Sequence, residues 1–164
     1  LRDYQDLTLV ICNASKHKPI RRYARMARKL NIEDRCVWHH RLDRTRLQHL
    51  TKDAAFTLAP LLETERNVRQ GCAPLKILES MAVGTPVIAS DLPCITEIID
   101  HSIDGWLIPP ERVDRLERAM RLLLDSPEQC AALGQAAREK IVRSFTWDRQ
   151  VERLAEVYGE LNSE

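Results

Sequence analysis

The chain has 164 residues, 44% hydrophobic and 30% charged, the balance of a soluble globular protein long enough to build a real core. Its formal charge of +1 provides no whole-chain field for nucleic acid, and no apolar run approaches the length of a membrane span. Five cysteines, an odd number with no Cys-x-x-Cys pair, fit reduced thiols in a cytosolic protein better than a disulfide framework.

Leu7-Thr8-Leu9-Val10-Ile11-Cys12 is a short β-rich run and predicts a strand buried on both faces. This strand follows Leu1 almost at once, which predicts a piece of a longer polypeptide. Asn13-Ala14-Ser15 then turns into a predicted helix over about residues 17–30. That helix carries Lys16, Lys18, Arg21, Arg22, Arg25, Arg28 and Lys29, with Ile20, Tyr23, Ala24, Ala27 and Leu30 as its apolar stripe. Residues 36–39 read as the next strand and 43–51 as a short helix capped by Asp43. Residues 54–59 read as a third strand, stopped by Pro60. The stretch 61–73, Leu-Leu-Glu-Thr-Glu-Arg-Asn-Val-Arg-Gln-Gly-Cys-Ala, is a polar loop too long for a simple connection. Loops of that kind, set before a helix start, commonly touch a ligand or a partner.

Gly71-Cys72-Ala73-Pro74 opens the central helix, and Pro74 suits its first position. The free amides of Leu75 and Lys76 point out of that start with the positive end of the helix dipole behind them. A lysine there opposes the dipole, so Lys76 needs an anion close by. About three helical turns are expected, with Leu75, Leu78 and Ala82 on one side, Ile77 and Met81 beside them, and Lys76, Glu79 and Ser80 on the other. Gly84 stops the helix before a fourth strand at 86–89. The junction therefore reads as an anion site with a carboxylate one turn further in. A pairing of Lys76 with Glu79 or Ser80 is the plainer alternative.

A short helix through Glu97, a strand at Trp106-Leu107-Ile108, and three helices over about 111–125, 128–143 and 147–161 complete the chain. Thr146 is placed as an N-cap, and Phe145 and Trp147 as core. Alternating strands and helices predict an α/β fold, a Rossmann-like doubly wound parallel sheet with extra C-terminal helices. In such sheets ligands sit beyond the carboxyl ends of the strands, where the 61–73 loop lies.

The run from Gly71 to Ala89 resembles the signature of the retaining glycosyltransferases of family 4, or group 1: a glutamate, seven residues, a second glutamate, an alanine-rich helix and Gly-x-Pro-Val-Val. Here the second glutamate is Glu79, followed by Ser-Met-Ala-Val-Gly-Thr-Pro-Val-Ile-Ala. Glu97 before Ile98-Ile99, the run Asp104 to Pro109, and Ser144 to Trp147 match further elements in the same order, so the resemblance spans about residues 7–160.

This resemblance implies the C-terminal, nucleotide-sugar-binding half of a two-domain GT-B enzyme from a bacterium. Such an enzyme moves a hexose-like unit from a UDP- or GDP-sugar to a hydroxyl with retention, in polysaccharide, glycolipid or cell-envelope glycan synthesis. It places Glu79 on the ribose hydroxyls, and the amides of Ala73, Leu75 and Lys76 on phosphate or sugar oxygens, with Gly71, Cys72 and Pro74 in the same junction. His40 and Arg41 fall where the family cradles the base. The first glutamate is replaced by Gly71, which leaves Arg66, Asn67 and Gln70 as candidates for the lost sugar contacts.

The family's basic pair for the diphosphate and its acceptor domain would precede Leu7. Residues 1–164 are thus expected to be one donor-binding domain without its first βα unit and without the N-terminal acceptor domain, inactive alone. No catalytic residue is assigned within the chain, and no metal or cofactor is expected. The basic helix over 16–29 reads as a solvated face, as a contact with anionic lipid at the inner membrane face, or as a dock for the missing half; nucleic acid is not an expected partner. A binding module without turnover and a sugar-nucleotide epimerase of the same build are the alternative functions.

Overall fold

In the computed structural model, which describes residues 3–14, 18–71 and 73–161, every strand pair among the described residues is parallel, as helices between successive strands require. The chain divides into two units, Leu1–Leu50 and Thr51–Glu164.

In the first unit β1 (Leu9–Asn13) pairs with β2 (Cys36–His40), in register from Leu9 opposite Cys36 to Asn13 opposite His40. Between them lie α1 (Lys18–Lys29) and a 3₁₀ turn (Glu33–Arg35). The left-handed residue Asn31 closes α1, with its N–H on Arg28 O and the Ile32 N–H on Ala27 O. The expected burial of β1 on both faces is not met, because Leu9 and Val10 are exposed. The expected stripe of α1 also needs correction: Ala27 is buried and Ile20 and Ala24 half-buried, while Tyr23 and Leu30 are exposed. One helix and two strands are too few elements to cover both faces of a parallel pair. Arg35 fastens the start of the unit, donating to Leu7 O at 3.1 Å and to Tyr4 O.

α2 (Arg44–Asp53) begins as expected at Asp43, whose Oδ1 accepts the Arg46 N–H at 2.8 Å. The second unit then supplies β3 (Thr57–Ala59), α3 (Leu75–Ala82), β4 (Val87–Ser90), α4 (Pro93–Thr96) and β5 (Trp106–Ile108). The helices α5 (Val113–Asp125), α6 (Pro127–Ser144) and α7 (Trp147–Leu161) follow. β4 is the middle strand of the three, and all four of its residues are buried. Its alternation feeds two cores: Val87 and Ala89 join Ile77, Met81, Ile95 and Ala137, whereas Ile88 joins Ile108, Leu123 and Leu133. Both faces of this sheet are therefore covered, as a doubly wound arrangement demands.

Gly84 stops α3 as expected. Its φ is +80°, its N–H bonds to Met81 O, and the Thr85 N–H bonds to Ser80 O, both at 3.0 Å. The turn so formed touches α6 directly, backbone to backbone, at Gly134. Arg138 of α6 donates to Ala82 O at the same corner. Further along α6, Lys140 Nζ lies 2.8 Å from both Asp100 Oδ2 and Asp104 Oδ2, and buried Asp104 also accepts the Asp100 N–H through Oδ1 at 2.7 Å. Burial acts to lower the Lys140 pKa, but hydrogen bonds and charge from the two carboxylates outweigh it and hold the ammonium above its ordinary range. Phe145 packs against the core as expected. Trp147, placed there too, is instead 86% exposed, because α7 starts at that residue and leaves all of its described side chains in solvent.

Three substitutions test this packing. Gly134→Ala pushes a methyl group into the Gly84 carbonyl and is expected to lower stability by about 1–3 kcal/mol in urea unfolding. Gly159→Ala, in an exposed helix with free space around it, should raise stability by up to about 1 kcal/mol. Lys140→Met removes charged hydrogen bonds and should cost about 1.5–3 kcal/mol at neutral pH. Since the folded pKa is raised, that difference is complete below the ordinary lysine value of 10.5 and is lost as pH climbs through the folded value, so it should stay level to about pH 10 and shrink above it.

Candidate functional site

β3 ends at Ala59, and the chain leaves the sheet through Pro60 and Leu61. Ser90 Oγ, at the carboxyl end of β4, holds Leu61 O at 2.7 Å and so fixes where the following segment starts. That segment is more ordered than the predicted loop. Thr64 O accepts the N–H groups of Asn67 and Val68, and a turn of π-helix forms over Arg66–Gln70. Asn67 Nδ2 donates to Leu62 O at 2.8 Å, so this side chain helps hold the loop together. Arg66 and Gln70 stand exposed on the same turn.

Gly71 follows with φ +73° and ψ 151°, a region open essentially to glycine alone, although a Cβ there would meet nothing within 4 Å. The glycine in place of the first glutamate is thus a requirement of this backbone path. Cys72 lies outside the described residues. Ala73 is exposed, and Pro74 is buried as the N-cap of α3 instead of its first helical residue, its carbonyl accepting the Ile77 N–H at 2.8 Å. α3 runs for eight residues, about two turns where three were expected, because Val83 and Gly84 close it early.

The amides of Leu75 and Lys76 come before the first internal hydrogen bond and have no backbone acceptor among the described residues. Ile77 and Met81 of the expected apolar side are buried and Leu78 and Ala82 pack partly buried against the same core, but Leu75 is 65% exposed and Ser80, expected on the charged side, is buried. Ser80 reaches the core because its hydroxyl shares a 2.6 Å hydrogen bond with Thr57 Oγ1 of β3. Sequence periodicity gave no signal for this pair, since a lone serine beside an apolar stripe reads equally well as surface. With Ser80 inward, Lys76 and Glu79 are turned outward, and both are exposed. Neither holds an ion pair among the described residues, so the plainer pairing of Lys76 with Glu79 does not form.

Among the described residues, the amides of Leu75 and Lys76, the Lys76 ammonium and the Glu79 carboxylate have no partner, and all stand at one exposed helix start. The amides and Lys76 suit a phosphate-like anion, and a carboxylate with both oxygens open suits neighbouring hydroxyls. His40 and Arg41 end β2 in the first unit; both are exposed, and Arg41, left-handed at φ 49°, donates its N–H to Asn13 O at 2.9 Å. A surface groove of about 750 Å³ along α6, between Gly84, Arg138, Val142 and Arg149, shares no residue with this site.

Residues 1–140 match the family described as glycosyl transferases group 1. The chain belongs to that family. The amylovoran biosynthesis glycosyltransferase AmsK of Erwinia amylovora is 30% identical to this group 1 chain over 109 residues, covering 66% of it and 26% of the relative. A D-inositol 3-phosphate glycosyltransferase of Thermobispora bispora is 36% identical over 86 residues, covering 52% and 20%. Among solved structures, HepE of Anabaena in complex with UDP matches with a TM-score of 0.79 at 18% identity, over 94% of this chain and 41% of that one. The C-terminal domain of the group 1 protein LpcC from Francisella tularensis matches at 0.74 and 15% identity, over 89% and 73%. Likeness at such identity shows the fold, which is that of a C-terminal domain of a GT-B glycosyltransferase. This group 1 chain spans about a quarter of the curated relatives it matches.

Gly71→Ala is expected to cost on the order of 1–3 kcal/mol in thermal or urea unfolding despite the empty space around it, because the backbone angle and not packing selects glycine. An unchanged midpoint would show that the 66–74 segment re-forms freely.

Proposed function

We propose that this chain is the donor-binding half of a retaining glycosyltransferase that transfers a hexose-like unit from a nucleoside diphosphate sugar to a hydroxyl acceptor. The observation that carries the reading is the exposed Glu79 carboxylate, without an ion pair among the described residues, one turn beyond the Leu75 and Lys76 amides and the Lys76 ammonium. In this reading the diphosphate lies at the Leu75 and Lys76 amides. Glu79 accepts hydrogen bonds from the two ribose hydroxyls. As the bond from sugar to phosphate breaks, negative charge grows on the departing diphosphate, and fixed amide dipoles with the Lys76 ammonium favour that charge. No metal or cofactor enters the proposal. The acceptor groups, and further cations for the diphosphate, come from an N-terminal domain of the same protein.

Uridine and guanosine donors both remain in the proposal. HepE is solved with UDP and with UDP-glucose, while a relative from Mycobacterium tuberculosis, 33% identical over 79 residues, is named a GDP-mannose-dependent mannosyltransferase. The acceptor is proposed to belong to polysaccharide, glycolipid or envelope glycan synthesis, reached from the cytoplasmic face of a membrane.

Titration of the chain with UDP, GDP and ADP, followed by NMR and calorimetry, tests the reading. Shifts should concentrate at residues 71–80, without sugar transfer by this piece alone. Glu79→Ala should weaken nucleotide binding roughly 10- to 150-fold, as loss of charged hydrogen bonds worth about 1.5–3 kcal/mol predicts. Equal affinity of the variant and wild type would remove Glu79 from the site.

A further inference from the structure

Ser90 ends β4, the middle strand of the second unit's sheet, and is 1% exposed. The ladder between β3 and β4 closes one residue earlier, at Ala59 opposite Ala89. Beyond it the chain leaves β3 through Pro60, which has no N–H to give, and the Leu61 carbonyl needs a donor outside the ladder. The Ser90 hydroxyl is that donor, at 2.7 Å. Ligands of a parallel sheet gather beyond the carboxyl ends of its strands, and here a buried hydroxyl at such an end is turned onto the backbone of the neighbouring segment.

That segment is shaped by bonds within itself: the Thr64 N–H to Leu62 O, the Asn67 and Val68 N–H groups to Thr64 O, and Asn67 Nδ2 to Leu62 O. Such a unit keeps its form from its own bonds but takes its place from what holds its two ends. At the far end Gly71 leads into α3. At the near end Leu61 packs its side chain against the core while Ser90 holds its carbonyl. The π-helical turn over Arg66–Gln70 lies against α4, which starts three residues after Ser90. Ser90 thus joins the root of the segment to the strand that leads into the support of its turn.

We propose that Ser90 is a positioning residue for the sugar of the donor, acting through the segment 61–71. The inference rests on the donor reading. Ribose, diphosphate and sugar follow one another along the donor. With the ribose at Glu79 and the diphosphate at the Leu75 and Lys76 amides, the sugar comes next off the helix start, on the side from which the segment arrives. There Arg66 and Gln70 stand exposed and offer N–H groups to sugar hydroxyls. Released from Ser90, the segment keeps its internal bonds and loses its fixed place. α3 is held separately by the hydroxyl pair of Thr57 and Ser80, so recognition of the sugar suffers while that of the nucleotide does not.

Calorimetry and NMR with a free nucleotide and its sugar nucleotide test this, using UDP with UDP-glucose or GDP with GDP-mannose, whichever pair the chain binds more tightly. The quantity read is the affinity for the sugar nucleotide divided by that for the free nucleotide. Ser90→Ala should lower this ratio roughly 3- to 10-fold, as loss of one buried hydrogen bond predicts, and leave the affinity for the free nucleotide within about twofold. Amide shifts at 66–70 that the sugar nucleotide alone produces should shrink in the same variant. Thr57→Val removes the other buried hydroxyl bond and is the control: it loosens α3, so both ligands should weaken together and the ratio should stay level. Urea unfolding checks that both variants are folded under the titration conditions. A ratio unmoved by Ser90→Ala, or moved as much by Thr57→Val, makes Ser90 a purely structural residue and overturns the proposal. So does the absence of sugar-dependent shifts at 66–70 in the unaltered chain. No binding of either nucleotide, or binding indifferent to Glu79→Ala, is the failure of the donor reading itself, and the inference about Ser90 falls with it.

Discussion

The rotation of α3 about its own axis is the constraint on which the candidate site depends. Ile77 and Met81 are completely buried, and Ser80 joins them by sharing a hydrogen bond with Thr57 of β3. A helix held at three inward positions has no rotational freedom left, so Lys76 and Glu79 must project outward. A hydroxyl pair in a core is tolerated only when both partners are satisfied, and here each satisfies the other. The polar contact thus acts through geometry: it chooses which side of the helix the charged groups occupy.

The end of the helix matters as much as its face. Gly84 takes the left-handed angle that closes α3 and directs the chain into β4, whose four residues are buried. The same turn meets Gly134 of α6 with no side chain between the backbones. α6 is fastened again by Lys140 between Asp100 and Asp104, which ties the segment after α4 to the same helix. The helix start that presents the amides is therefore carried on an element gripped at its face and its far end. Groups intended to meet charge work best when they need no rearrangement to do so.

Gly71 shows how a departure from a family pattern is read physically. The glutamate of the family's pair is absent, and its place is taken by a backbone angle that side chains resist. The loop before it is correspondingly built from its own contacts, Asn67 to Leu62 and the Thr64 carbonyl to a π-helical turn. The glycine and the backbone angle it adopts are matched to each other and to the ordered turn before them. Arg66 and Gln70 remain on the exposed side of that turn, while Asn67 is half-buried and bonded to Leu62 O.

By itself the sequence determined the order of strands and helices, their parallel pairing, the Asp43 cap, the Gly84 stop and the helix start around Pro74 to Lys76. These rest on local chemistry: period, propensity, capping groups and glycine angles act over a few neighbouring residues, and the family signature lies in one continuous stretch. Only the tertiary structure decided that Leu75 stays outside the inward face of α3, that Ser80 belongs to the core, that Asn67 serves the loop, that Leu9, Val10 and Tyr23 stay exposed and that Trp147 is not core. Each of those depends on what arrives from a distant part of the chain: Thr57 stands 23 residues before Ser80, and Gly134 meets a turn formed about fifty residues earlier. Periodicity reports that a side chain is apolar, but burial requires a neighbour, and neighbours are supplied by the fold.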